Sequence, residues 1–66
     1  MSNFIKFDDI NGNSVVVNLD YVIAMEQAVV YTDEEGTQHV GTQIITKAKT
    51  YSTEWTIAEI YKQLRG

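Results

Sequence analysis

Residues Thr56 to Glu59 of this 66-residue chain read Thr-Ile-Ala-Glu, the form of a capping box. In that motif the threonine hydroxyl accepts from the N3 amide while the glutamate carboxylate accepts from the cap amide, so a helix starts here. Trp55 falls at N′ and Ile60 at N4, the two positions of a hydrophobic staple, and Ile57, Ile60, Tyr61 and Leu64 follow at helical spacing. A helix of about nine residues is marginal alone in water. Its apolar stripe therefore requires a sheet face from the residues before it.

Cysteine is absent, which excludes disulfides and zinc-thiolate sites and leaves stability to packing. A domain of this size buries only about 60% of its unfolded surface. The 44% hydrophobic content is that of a globular chain, and one domain over residues 1–66 is expected. Met1-Ser2-Asn3 lacks the basic start and apolar run of a signal peptide, and no apolar stretch approaches the roughly 20 residues of a membrane span. A cytoplasmic protein without membrane contact is the expectation.

The net charge of −4 opposes general nucleic-acid binding, which gains affinity by neutralising phosphates with a basic surface. Charge is also unevenly placed. Up to Thr46, Lys6 is the one base among Asp8, Asp9, Asp20, Glu26, Asp33, Glu34 and Glu35; from Lys47 onward, Lys47, Lys49, Lys62 and Arg65 outnumber Glu54 and Glu59. Lys62 and Arg65 suit a helix C-terminus.

Phe4 to Asp9 and Val15 to Leu19 flank a turn signal, Ile10-Asn11-Gly12-Asn13-Ser14. A three-residue loop, Asn11 to Asn13, sets Phe7 against Val17 and Ile5 against Leu19 and gathers the large apolar residues on one face, with Asn13 in the left-handed conformation. Asn18 to Tyr21 is a polar break in which Asn18 or Asp20 caps local amides. The run Val22 to Thr32, the turn Asp33 to Gly36 and the run Thr37 to Thr50 form a long hairpin.

A four-residue loop in that hairpin pairs Val29 with Val40, Met25 with Ile44, Ile23 with Thr46 and Tyr21 with Ala48, and on the other face Glu26 with Gln43, Val22 with Lys47 and Asp20 with Lys49. It also sets His39 across from Val30. Gly41 marks a bulge or a close backbone approach, a twist-adding bulge being the simpler expectation.

The expected fold is α+β: a four-stranded antiparallel sheet of two hairpins with one C-terminal helix, ββββα. The helix should cover Ile5, Phe7, Val17, Leu19, Ile23, Met25 and Ile44. Phe4, Val16, Val22, Val30 and Ile45 alternate onto the opposite face, where no second helix is available, so an oligomeric interface is expected there.

Nothing in the chain favours catalysis. His39 is the single histidine and has no cysteine to activate, and a Ser-His-Asp arrangement needs three groups converging in a chain too small for much of a pocket. Asp8-Asp9 and Asp33-Glu34-Glu35 could each hold a divalent cation weakly, but without EF-hand spacing solvated turn charge is the stronger expectation, and P-loop and Rossmann glycine patterns do not occur. No metal or cofactor is expected. Lys47, Lys49 and Tyr51 alternate along one side of the last strand, with Thr53 and Trp55 following before the helix. Bases for phosphate, an aromatic face for stacking and hydroxyls suit an anionic ring or nucleotide. In the bland alternative Trp55 is only the staple, Tyr51 packs across strands and the lysines are solvated.

The order Ile10-Asn11-Gly12, Val17-Asn18 with Asp20, a variable middle, a β run ending in Lys49-Thr50-Tyr51, and a short helix with Glu59-Ile60 resembles small FlbD-like bacterial and phage proteins. The chain departs from that pattern in a longer middle, Gln27 to Gln43, and in Ser52-Thr53-Glu54-Trp55. The resemblance implies layout more than flagellar function. A looser likeness, of size and composition only, is to phage-encoded anti-defence proteins, some of them oligomeric sponges for cyclic-nucleotide signals.

The function expected is that of a non-enzymatic homo-oligomeric binding protein, a phage or mobile-element accessory that sequesters a small phosphorylated, cyclic-nucleotide-like ligand. Lys47 and Lys49 would meet phosphate, Tyr51 and Trp55 a base, and Thr53 a polar group. The competing expectation is a protein-interaction module of a larger assembly, with a host protein as partner, including an acidic mimic of nucleic acid.

Overall fold

The structure, a computed structural model, describes residues 3–65. Met1, Ser2, Gly66 and the side chain of Arg65 lie outside the described residues, and with them the expectations for the first two residues and for the Arg65 charge. The chain forms β1 (Phe4–Asp8), β2 (Ser14–Asn18), a 3₁₀ turn at Leu19–Tyr21, β3 (Val22–Thr32), β4 (Gln38–Thr46), β5 (Thr50–Thr53), α1 (Ile57–Lys62) and a closing 3₁₀ turn at Gln63–Arg65. The class is α+β as expected, but the single four-stranded sheet is not formed. Five strands make two antiparallel sheets, β1-β2 and β3-β4-β5.

The extra strand arises because the run Thr37 to Thr50 does not stay extended. Thr46 Oγ1 donates to the Lys49 carbonyl at 2.6 Å and accepts from the amides of Ala48 and Lys49. With Thr46 N–H donating to the same carbonyl at 2.9 Å, the hydroxyl closes a turn at Thr46–Lys49, and β5 returns antiparallel along β4, with Ile44 opposite Tyr51 and Thr42 opposite Thr53. The two sheets meet where Asp9 bridges Thr53, Ile10 N–H donates to the Ser52 carbonyl at 3.0 Å, and Thr53 Oγ1 donates to the Asp8 carbonyl at 2.6 Å.

Both hairpins close through the same five-residue device. Asp9 Oδ1 accepts from the amides of Asn11 and Asn13, and Asp33 Oδ1 accepts from those of Glu35 and Thr37. In each, the aspartate carbonyl accepts from a glycine amide three residues on, and that glycine, Gly12 or Gly36, has φ of +86°. Glycine enters this left-handed region without the Cβ penalty other residues meet. Asn13 therefore is not left-handed, and the first loop spans residues 9–13 instead of three. The register becomes Ile5 opposite Val17 and Phe7 opposite Val15. A shift of two residues preserves the faces, so Ile5, Phe7 and Val17 are buried as the alternation requires.

In the second hairpin the pairs Val29–Val40, Met25–Ile44 and Glu26–Gln43 form as expected. Beyond them, irregularities between Val22 and Ala24 and between Val29 and Tyr31 change the register. Val22 faces Thr46, so the pairs Ile23–Thr46, Val22–Lys47, Tyr21–Ala48 and Asp20–Lys49 do not form, and His39 faces Tyr31 instead of Val30. The first irregularity exchanges two side chains between faces: Val22 packs against the core while Ile23 is 66% exposed. Gly41 sits in regular pairing with Ala28, and its role is close approach: a Cβ built there collides with the Thr53 carbonyl oxygen and lies 2.9 Å from Glu54 Cα.

The core is Ile5, Phe7, Val17, Ile44 and Ile60, flanked by Val15, Leu19, Val22, Met25, Tyr51, Trp55 and Leu64. The capping box forms in full: Thr56 Oγ1 accepts from Glu59 N–H at 3.1 Å and Glu59 Oε1 from Thr56 N–H at 2.9 Å. Ile60 and Leu64 face inward, whereas Tyr61, expected on the apolar stripe, is 56% exposed. Asn18 caps the first 3₁₀ turn, its side chain accepting from Asp20 N–H at 2.9 Å, as the polar break requires.

Candidate functional site

The turn that ends β4 also builds a surface groove. Thr46 is held by its three hydrogen bonds, and the next amide, Lys47 N–H, donates to the Tyr21 carbonyl at 3.0 Å. This ties the β4–β5 turn to the 3₁₀ turn after β2. Between them lies a groove of about 540 Å³ whose walls include Phe4, Val16, Tyr21, Lys47 and Tyr51, with Thr46 and Ala48 between. Its lining is mainly apolar, and Phe4 and Val16 stand 51% and 62% exposed on it.

The two lysines are oriented by rings. Lys47 Nζ lies 5.9 Å from the centroid of Tyr21, and Lys49 Nζ lies 4.6 Å from that of Tyr51, both within cation–π reach. The Tyr51 ring in turn packs edge-on to buried Phe7 at 5.8 Å. The tyrosine is thus braced from the core on one side and carries a cation on the other.

Of the five residues expected to bind ligand, Lys47 and Tyr51 line the groove, Lys49 stands over the Tyr51 ring without lining it, and two lie elsewhere. Thr53 is fully buried, its hydroxyl donating to the Asp8 carbonyl and accepting from Trp55 N–H at 3.2 Å. Trp55 packs against the core, and its carbonyl accepts from Thr42 Oγ1 at 2.8 Å. Of the five expected at an interface, Phe4 and Val16 are exposed in the groove, Val22 is turned into the core flank, and Val30 and Ile45 are half-buried. Two residues of each expected set, Lys47 and Tyr51 with Phe4 and Val16, therefore line one groove. Val17, Asn18, Tyr21, Thr46 and Ala48 complete it, and only the position of Asn18 and Tyr21 at the polar break could have signalled it.

Asp9 and Asp33 of the acidic clusters serve the turns. The Asp9 carboxyl is held below its ordinary range first by the Asn13 amide, and Asp33 first by its hydrogen bond with His39, then by Thr37 N–H. His39 Nε2 lies 2.9 Å from Asp33 Oδ2, and the imidazole stacks on Tyr31 with centroids 4.3 Å apart. Desolvation, then the Glu54 carboxylate 3.4 Å from its hydroxyl, raises the Tyr31 phenol. The histidine braces the hairpin arm, and among the described residues no three His, Asp or Glu side chains are placed to share a metal ion. No helix among the described residues is long and apolar enough to cross a membrane. Comparison with protein-family models, curated proteins and solved structures finds no match for the chain.

Proposed function

We propose that this is a non-enzymatic, homo-oligomeric binding protein whose groove holds a small phosphorylated, nucleotide-like ligand. The observation that carries this reading is the meeting of three aromatic rings, Phe4, Tyr21 and Tyr51, with Lys47 around one apolar space, Lys49 standing over Tyr51. A groove of about 540 Å³ falls within the size range of small-molecule sites. Rings accept a base by stacking, and ammonium groups at the rim neutralise phosphate. With no nucleophile–base pair beside this space among the described residues, sequestration fits better than turnover. A cyclic-nucleotide signal held by a phage or mobile-element accessory is the setting we put forward.

Calorimetric titration with nucleoside monophosphates and cyclic dinucleotides tests the reading. Heat should appear with the unmodified chain and disappear in Tyr21→Ala and in Lys47→Ala combined with Lys49→Ala. Absence of both heat and thermal shift with every such ligand would overturn it.

The exposure of Phe4 and Val16 in the same groove favours a second reading, a protein-interaction module that takes a partner's apolar side chain. Loss of partner capture in Val16→Asp, with no nucleotide response in the unmodified chain, is its signature.

A further inference from the structure

An antiparallel ladder alternates pairs that exchange main-chain hydrogen bonds with pairs that do not. Leu19 N–H donates to the Asn3 carbonyl and Asp9 N–H to the Asn13 carbonyl, so the residues of β2 that exchange bonds with β1 are Val15 and Val17. Val16, opposite Lys6, belongs to the other set, and its N–H and C=O point away from β1. Lys6 shows what this means on the opposite edge, where its own outward N–H and C=O are both taken by the Gln63 carboxamide. The outer edge of β2 has no such cover. Among the described residues β2 pairs with β1 alone, and none bonds the Val16 main chain from the other side.

This edge opens into the groove. Val16, Val17 and Asn18 all border that space, although successive side chains of a strand alternate between faces. A groove that touches three consecutive residues runs past the strand's edge instead of over one face. Asn18, the next residue with outward groups, caps the 3₁₀ turn: its carbonyl belongs to that turn and its side-chain oxygen is held by Asp20 N–H. Val16 is therefore the residue that offers the groove a complete donor–acceptor pair. Lys47 shares the space, and no Asp or Glu among the described residues lines it.

The Gln63 contact identifies the chemistry that fits such a pair. A carboxamide presents an acceptor and an N–H donor side by side, and so does a nucleobase, with O4 beside N3–H in uracil and N1 beside N6–H in adenine. An extended peptide brings a longer row of such groups, and the groove holds one complete pair. We infer that the Val16 main chain reads the base of the ligand proposed above, its N–H donating to the ring acceptor and its carbonyl accepting from the neighbouring N–H, while Lys47 meets phosphate. This rests on the nucleotide reading and adds to it the edge by which the base is held.

Amide exchange in the full chain tests the edge without any ligand: the Val16 amide should exchange at least about ten-fold faster than those of Val15 and Val17. Equal protection of the three would overturn the inference. Calorimetry with UMP, AMP and cyclic di-AMP follows, and the nucleotide that gives heat should slow exchange at Val16. Which of UMP and AMP binds tells the lactam edge from the amidine edge. Blocking the donor, as in 3-methyl-UMP or N6,N6-dimethyl-AMP, should weaken binding by about ten-fold or more relative to the parent that binds. Val16→Pro removes the N–H but no ladder bond and should lose as much, whereas Val16→Ala keeps the N–H and should lose less. Heat with unchanged Val16 exchange, equal affinity of parent and methylated nucleotide, or equal losses in the two folded variants would each overturn this inference and leave the nucleotide reading standing. Silence from all three nucleotides would overturn both.

Discussion

The side-chain amide of Gln63 pairs with both main-chain groups of Lys6, Nε2 donating to the Lys6 carbonyl at 2.6 Å and Oε1 accepting from Lys6 N–H at 2.8 Å. A single glutamine thus occupies the edge of β1 as a neighbouring strand would, and anchors the end of the helical segment to the start of the chain. Gln63→Ala should lower unfolding free energy by about 1–2 kcal/mol, the net worth of two such bonds. Gln63→Glu sets a carboxylate oxygen against the Lys6 carbonyl and should not recover the loss. Urea unfolding of the three proteins checks both statements.

Gly41 is required for a different reason than turn geometry. A methyl group at this position meets the Thr53 carbonyl and the Glu54 backbone, neither of which is a flexible side-chain tip. Gly41→Ala should cost about 1–3 kcal/mol, as overpacking does. The spectroscopic trace to follow is Trp55 fluorescence, since the displaced segment leads directly into it.

Val22 and Ile23 are adjacent and similar in size, yet they should respond oppositely to truncation. Val22→Ala removes a side chain packed on the core and should cost about 1–2 kcal/mol, whereas Ile23→Ala at an exposed position should stay within about 0.5 kcal/mol. Unfolding measured at a concentration where the chain is monomeric distinguishes the two. Equal losses would mean that the strand keeps its regular alternation through this point.

Asp9, Asp33 and Glu59 all bind their protons less tightly in the folded chain, through the Asn13 amide, the His39 hydrogen bond and the Thr56 amide respectively. The unfolded chain then takes up protons first as pH falls. The stabilisation is complete above the ordinary carboxylate range, about pH 4 to 4.5, and drains away as pH drops through the lower folded values. Thermal midpoints between pH 6 and 2 should fall most steeply at the acid end. Asp33→Asn should flatten part of that slope while lowering the midpoint at neutral pH.

The helix was the most legible element because its signals are local: Thr56 and Glu59 satisfy each other within one turn, and no distant contact is needed to place them. The faces of the first hairpin were legible for a related reason, since alternation of Ile5, Phe7, Val15 and Val17 survives a register error of two. What could not be read was where strands end or slip. Thr46-Lys47-Ala48-Lys49 contains no glycine, proline or asparagine, and becomes a turn through the Thr46 hydroxyl facing its own backbone together with the Thr46 N–H bond to the Lys49 carbonyl. The slip at Ile23 has no local signature at all, because Val-Ile-Ala-Met serves equally well with either residue inward. The groove inherits both difficulties: Lys47, Lys49 and Tyr51 were identifiable by chemistry, but their meeting with Phe4, Val16 and Tyr21 depends on that turn and that slip.

The paired loops at Asp9–Asn13 and Asp33–Thr37 carry a consequence for how the molecule holds together. The bonds that close each of these turns come from five consecutive residues and draw on nothing from the other half of the chain. The main-chain seam between the sheets runs through Thr53, whose hydroxyl reaches Asp8 while its backbone stays in register with Thr42, and through the neighbouring Ile10–Ser52 bond. Because Ile5, Phe7, Val17, Ile44 and Ile60 form one core across that line, parting it should expose the core and unfold both sheets together.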